Sequence, residues 1–526
     1  MRDFQMPGRS AVYATGGMVA TSHPLAAHAA TEMLASGGNA ADAAIAGAVL
    51  LGLCEPQMTG LGGDAFVLLK PPGEERVLAL NGSGRAPAAL SAEALRAAGH
   101  SAMPLEGAQP VTIPGAVDAF CTLSADWGRA GLAASLSPAI RYAEEGVPVA
   151  PRVAFDWAQA TERLSGHART AFLLGGKAPA PGDLFRAPGQ AEVLRRIARE
   201  GRAGFYEGEV AEDMVESLTA LGGVHTLEDF AATACDWGTP ISAPYGDVEL
   251  VEHPPNGQGA TAILMANILG HFDLAALDPF GAARTHLEAE AARLAYDARN
   301  RFLADPAHMT RLDHMLSPET ASGLAGLIDP ARAMVAPARS ADAIHRETIY
   351  ITVVDRDLMA VSLIYSIFHS FGAGVASNRF GILFQNRGGG FTLAPGHPNE
   401  AMGGKRPMHT IIPAMLRRGG KVIMPFGVMG GAYQPTGHVR IMTNLVDYGM
   451  ELQAALDAPR SFADAESLSL ERGYGGDLRA QMAAMGHTIT TPDTPWGGAQ
   501  AIRIDHARGV LIGASDPRKD GCALGI

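Results

Sequence analysis

Two stretches near the start of the chain carry apolar residues at helical spacing. Residues 24–36 set Leu25, Met33 and Leu34 among alanines and end at Gly37-Gly38, a glycine stop for a helix. Residues 40–54 are apolar on nearly every side, which predicts a buried helix. Glu55-Pro56 breaks the pattern, and MTGLGG (58–63) reads as a flexible turn. Residues 65–70 and 76–80 then predict a strand pair. The middle, roughly 110–330, follows a mostly helical pattern broken by Pro and Gly. After Glu347 the period changes. IYITVVD (349–355) and LMAVSLIY (358–365) predict two strands joined across Arg356-Asp357. Residues 411–416 and 421–427 predict a second pair, 438–448 and 452–458 two helices, and 501–505 and 510–514 the last strands. Paired strands with helices to either side predict an α+β fold of stacked antiparallel sheets under outer helical layers. No repeat or low-complexity linker interrupts it. The Ala- and Arg-rich stretch 333–345 is expected to be mobile.

One position does not fit the pattern. Arg346 and Glu347 run straight into Thr348 at the head of a buried strand, with no Gly, Pro or Asn to make a turn. A threonine there is ordinary on its own account, since it suits strands and can satisfy a nearby backbone group.

Composition narrows the classes. With 526 residues, 47% of them hydrophobic and 18% charged, the chain has the make-up of a soluble globular protein with a large core. A net charge of −13 argues against nucleic acid and against an anionic membrane surface as partners. The N-terminus lacks an apolar core of signal-peptide length, and 40–54 is too short to span a bilayer, so a cytoplasmic location is expected. Cys54, Cys121, Cys235 and Cys522 are scattered and read as reduced structural thiols. His23, His345, His369, His397, His409 and His438 show no close ligand spacing. No metal and no cofactor is therefore expected, and His23 reads as structural at a helix start.

Several segments together resemble the gamma-glutamyltransferase family. They are residues 16–66 (GGMVATSHPLAAHAATEMLASGGNAADAAIAGAVLLGLCEPQMTGLGGDAF), VTIPGAVDAF (111–120), ETIYITVVDRD (347–357), FGAGV (371–375), KRPMHTIIPAM (405–415), GVMGG (427–431) and 444–460. They occur in the family's order and cover most of the chain. The resemblance implies a four-layer αββα sandwich of the N-terminal-nucleophile hydrolase type. It also implies a precursor that cuts itself between Glu347 and Thr348. A large chain 1–347 and a small chain 348–526 would stay associated as one αββα domain, with Thr348 heading the small chain as nucleophile. A free N-terminal amine, with an unperturbed pKa of about 7.7–8.0, is a base suited to take the hydroxyl proton. Ser366 falls where the family keeps a hydroxyl near the nucleophile. Gly430 and Gly431 fall where it places backbone donors for the oxyanion.

The departures bear on substrate. Ile349 and Tyr350 replace a Thr and a His that usually follow the nucleophile. In NGSGRAP (81–87) Ser83 stands where the family has a carboxylate-gripping arginine, and Arg85 is shifted by two. In RGGGF (387–391) glycines replace the acid that holds a substrate α-amino group, and Phe368 replaces an Asn. A serine pair becomes His409-Thr410. An anionic substrate without an ammonium fits these changes, with Arg85, Arg387, His409 and Thr410 as candidate binders. The NGSGRAP and HTIIP segments resemble a branch that hydrolyses oxamate in purine breakdown. The leading expectation is a cofactor-free amidohydrolase acting on an oxamate-like small-molecule amide through an acyl-threonine. The alternatives are a hydrolase or transferase of glutathione-type γ-glutamyl amides, and an uncut, non-catalytic binder of a small acid. Whether the two chains assemble into a homo-oligomer stays open.

Overall fold

A computed structural model describes residues 5, 8–334, 348–464 and 466–526. Glu347 and most of the stretch expected to be mobile, 335–345, lie outside the described residues.

Two seven-stranded sheets form the centre. In one, the strands run in the order Cys522–Gly525, Gly17–Thr21, Ile349–Asp355, Ala360–Ser366, Asp64–Lys70, Leu78–Gly82 and Asp236–Gly238. In the other the order is Val12–Ala14, Val510–Ser515, Gly498–Asp505, Lys421–Met429, Ala414–Arg418, Val248–Glu252 and Ile241–Tyr245. Every pairing within these two sheets is antiparallel. Each sheet takes strands from both sides of position 348.

Separate apolar clusters mark the layer boundaries. Met18, Ala20, Leu68, Val354, Met415 and Ile502 fill the space between the sheets. Helices Pro24–Ala35 and Ala40–Cys54 pack with Val67, Ile351 and Leu363 on the outside of the first sheet. Helix Gly259–Leu269 packs with Leu250, Phe426 and Val428 on the outside of the second. The expected αββα sandwich is the observed architecture. Helix Ala40–Cys54 is buried along its whole length and opens with a capping box between Asn39 and Asp42. Its alanines let the sheet approach closely, and a Cβ on Gly47 would fall 2.3 Å from Ile351 Cδ1.

The structure corrects several sequence boundaries. The strand expected over 411–416 is Ala414–Arg418. Pro413 has no N–H to give a ladder, and the Ile412 N–H donates instead to Gln434 Oε1 at 2.8 Å. The helix expected from 438 begins at Gln434, because Pro435 suits a first turn although it reads as a breaker. The middle region, read as mostly helical, also contributes the hairpin Ile241–Tyr245 and Val248–Glu252. Pro244 obscured that hairpin, and its strand is tolerated at the edge of the sheet. Gly17–Thr21, short and glycine-led, was not expected as a strand, yet it lies directly beside Ile349–Asp355.

Candidate active site

Register builds the site. Ile349 pairs with Tyr365, so Thr348 continues the ladder opposite Ser366, and Ser366 in turn pairs with Asp64 on the next strand. All three side chains are buried at one end of adjacent central strands. Thr348 Oγ1 lies 3.5 Å from Ser366 Oγ, the long limit of a hydrogen bond. Ser366 Oγ also accepts from Phe368 N at 2.9 Å and from an Arg387 terminal nitrogen at 3.2 Å.

Arg387 is completely buried. Its other terminal nitrogen donates to Thr410 Oγ1 at 3.0 Å. Its guanidinium lies 4.2 Å from the centre of the Phe368 ring, and its Nε has no partner among the described residues. None of the ion pairs among the described residues gives Arg387 a carboxylate. Burial pushes the guanidinium down to about 9, against a smaller opposing pull from Asp64. Its charge is thus held at a cost that a bound anion relieves. Phe368 adopts φ +78°, a left-handed conformation rare for an aromatic residue, and this places its ring against the guanidinium.

Asp64 is fully committed. Its Oδ1 accepts from Gly84 N, Gly115 N and Gln385 Nε2 at 2.9, 3.1 and 2.9 Å, and its Oδ2 is 3.1 Å from His409 Nε2. Burial, then the neighbouring Arg387 charge, hold His409 down at about 3. The neutral ring donates through Nε2 to Asp64 and accepts the Ile411 N–H at Nδ1, 3.3 Å away. Both ring nitrogens are therefore used inside the protein.

The strand Lys421–Met429 of the second sheet lies over Tyr350, where a Cβ on Gly427 would fall 2.4 Å from the ring. It ends at Gly430 and Gly431, with φ +118° and +56°, a left-handed pair that glycine adopts without strain. Gln258 ties this turn to the arginine cluster. Its Nε2 donates to Thr410 O at 2.6 Å and to Gly431 O at 2.9 Å. Thr348, Ser366, Arg387, Thr410 and Gly431 thus form one connected network.

Arg85 is not part of it. Its side chain is half exposed, 3.5 Å from Asp305 and 3.1 Å from the Gly404 carbonyl. Ser83, standing where the family resemblance places an arginine, accepts from Asn256 Nδ2 at 3.1 Å. Tyr350 points between the sheets, its hydroxyl 2.5 Å from Ser362 Oγ. His23 caps its helix by accepting the Leu25 N–H at 3.2 Å. Sequence reasoning missed Gln258 and Asp64. Neither NGQG (256–259) nor GGDAF (62–66) carries a spacing that reveals a distant partner. It also missed the buried group His286, Glu290 and His487. There His286 Nδ1 and His487 Nε2 lie 2.7 Å apart, joined by a hydrogen bond, with Arg293 donating to Glu290 at 2.7 Å.

The buried histidines give a stability prediction. Burial lowers His409 to about 3 and His23 and His253 to about 4, so each is neutral when folded and takes a proton near 6.5 when unfolded. Stability from these groups is complete above pH 6.5 and is lost as pH falls toward 4. Glu55, raised by burial to about 7, opposes one of the three. With the buried His487, also lowered to about 4, three uncompensated protons give a slope of about 3–4 kcal/mol per pH unit between pH 6 and 5. Urea midpoints at pH 7 and pH 5 check this, and equal midpoints would contradict it.

The fold and a threonine opening a buried central strand define the class, the self-processing N-terminal-nucleophile hydrolases that cleave amides. The chain belongs to the gamma-glutamyltranspeptidase family, which it matches over residues 26–526. It is 36% identical to a glutathione hydrolase-like YwrD proenzyme of Bacillus subtilis, over 98% of this chain and 99% of that one. It is 34% identical to an oxamate amidohydrolase proenzyme of Klebsiella pneumoniae, over 97% of this chain and 98% of that one. A cephalosporin acylase structure from Bacillus halodurans superposes with a TM-score of 0.93 at 38% identity, covering 100% of this chain and 99% of that one. Among the described residues no helix is long and apolar enough to cross a membrane.

Proposed function

We propose that the chain matures by cutting itself between Glu347 and Thr348, and that the product hydrolyses a small amide whose acyl part ends in a carboxylate and carries no α-amino group, as oxamate does. The buried guanidinium of Arg387, which has no ion-paired acid among the described residues, carries this reading. It lies one hydroxyl away from Thr348, and a substrate carboxylate is the anion it lacks. The Thr410 hydroxyl is a second contact for that group. His409, with both nitrogens engaged, positions Asp64 and the Thr410 backbone and does not touch the substrate. Arg85, ion-paired at the surface, has no substrate role.

In the reaction the freed Thr348 amine takes the Oγ1 proton while Oγ1 attacks the amide carbon. The Gly430 and Gly431 N–H groups receive the developing oxyanion. The C–N bond breaks, the proton passes to the leaving amine, and water then hydrolyses the acyl-threonine ester to release the acid. Ser366 orients the Thr348 hydroxyl. Interleaving of strands from 1–347 and 348–526 in both sheets supports two chains that stay together after the cut.

A γ-glutamyl substrate would bring an ammonium, and positions 389 and 390 offer it only glycine. A Cβ at Gly390 would also fall 2.5 Å from Met408 O, so no acidic side chain is accommodated there. The test pairs intact mass under denaturing conditions with a substrate panel. Two chains, the smaller beginning at Thr348, are expected, with oxamate-type amides hydrolysed faster than γ-glutamyl amides. A single uncut chain without activity supports the small-acid binder instead. Faster γ-glutamyl hydrolysis overturns the substrate assignment alone.

A further inference from the structure

Gln258 stands between two parts of the site that come from distant stretches of chain. It is completely buried, just before helix Gly259–Leu269. Arg299 Nη1 donates to its Oε1 at 3.0 Å. A guanidinium only donates, so the amide oxygen must face it, and both amide N–H groups are left to point elsewhere. One reaches Thr410 O at 2.6 Å and the other Gly431 O at 2.9 Å. In the reaction proposed above, these two residues serve opposite ends of the acyl group. The Thr410 hydroxyl sits on Arg387 beside the carboxylate, and Gly431 gives its N–H to the oxyanion.

The Gly430-Gly431 turn needs such an anchor. Its left-handed glycines can leave their conformation at little steric cost, so their N–H groups keep one direction only if the carbonyls around them are held. Gly430 O accepts from Tyr433 N at 3.0 Å, Gly431 O accepts from Gln258, and Ala432 O accepts from the Tyr296 hydroxyl. In a planar trans peptide the N–H points opposite to the C=O, so the first of these bonds aims the Gly431 N–H away from Tyr433. Tyr296 and Arg299 lie about one turn apart on helix Ala282–Phe302, with the guanidinium 4.7 Å from the ring centre. One helix therefore backs both outside contacts.

The carboxylate end is placed as firmly. His409 N donates to Asn256 O at 2.8 Å and Asn256 Nδ2 to Pro407 O at 2.7 Å, which lays residues 256–258 along 407–410. The gap between the two ends is short. Contacts of 3.5 and 3.2 Å through Ser366 Oγ separate Thr348 Oγ1 from the Arg387 guanidinium. An oxalyl group sets its carboxylate one C–C bond from the attacked carbon, and each methylene adds another bond to that reach.

We propose that Gln258 is a positioning residue that fixes the spacing between the carboxylate contacts and the oxyanion turn, and thereby selects an acyl group of two carbons. This rests on the reaction proposed above and specifies the length of its acyl part. Gln258 touches no reacting atom and acts through Thr410 and Gly431.

The experiment uses the mature two-chain protein and three amides, oxamate, malonamate and succinamate, each one methylene longer than the last. The expected wild-type kcat/KM ratio of oxamate to malonamate is about 10- to 100-fold, the size of one misplaced methylene. Gln258→Met fills a similar volume and removes both donors. It should slow oxamate about 10- to 100-fold, mostly through kcat, and bring the oxamate-to-malonamate ratio below about 3. A merely structural role would slow both amides alike and leave the ratio unchanged. Gln258→Glu keeps the size and the Arg299 contact but loses both donors. It should give the same pattern, and it decides the case if the methionine variant does not fold or cut. A wild-type ratio near 1, or a variant that slows oxamate and malonamate equally, overturns the assignment and leaves the proposed function standing. No hydrolysis of any of the three by the wild type refutes both.

Discussion

Thr348→Ala is expected to leave one chain of 54.7 kDa, folded and uncut, with amidase activity reduced by at least about 10⁴-fold. The hydroxyl is the only nucleophilic atom of that side chain, and in the proposed mechanism it serves both self-cleavage and turnover. Folding should survive, because Ile349–Asp355 is anchored on both flanks by Gly17–Thr21 and Ala360–Ser366 and needs no Oγ to pair. Thr348→Ser should still cut, more slowly, since it keeps the hydroxyl opposite Ser366 and loses only the methyl that restricts its rotamer. Denaturing mass spectrometry and an ammonia or amine assay read both outcomes. Full activity in the alanine variant would move the nucleophile to another residue.

Arg387→Met is expected to separate activity from stability. A truncated charge partner of a bound carboxylate costs about 2–5 kcal/mol of binding, so kcat/KM should fall roughly 30- to 5,000-fold, mostly through KM. The ligand-free protein should lose no stability and should gain up to about 4 kcal/mol. Among the described residues Arg387 has no ion-paired acid and its Nε has no partner, and burial already depresses its ionisation. Methionine fills similar volume against Phe368 without that desolvation. Ser366 Oγ keeps the Phe368 N–H, so the loss of one donor there is small. Chemical denaturation of the substrate-free variant is the check. A loss of 3–5 kcal/mol would mean that the guanidinium is neutralised by a partner in the resting protein, and the substrate-carboxylate reading would fail with it.

The two predictions differ in how far the chain alone leads to them. Thr348 could be singled out from local text, a strand entry without a turn inside a long motif. Once two adjacent strands are read on either side of Arg356-Asp357, antiparallel pairing brings Ser366 across from Thr348 as well. The Gly430-Gly431 turn is similarly local, because two consecutive left-handed residues after a strand demand glycine. The arginine question was not local. Arg85 and Arg387 are equally plausible as residue types, and a two-residue shift in NGSGRAP gave no means to choose. The structure separates them by burial and by partner. Arg85 reaches Asp305 and the Gly404 carbonyl at the surface, while Arg387 is enclosed beside Ser366 with no ion-paired acid among the described residues.

By itself the sequence determined the layered α+β architecture, the strand that Thr348 heads and the glycine turn. Each of these depends on hydrophobic period, on turn chemistry or on contiguous motifs, all of them short-range. Tertiary structure alone decided which cation is buried without an ion-paired carboxylate among the described residues. It also brought Gln258 between Thr410 and Gly431 and locked His409 onto Asp64. Those depend on desolvation and on contacts between residues more than a hundred positions apart. Such contacts arise only when both sheets are stacked, and no periodicity in the chain encodes them.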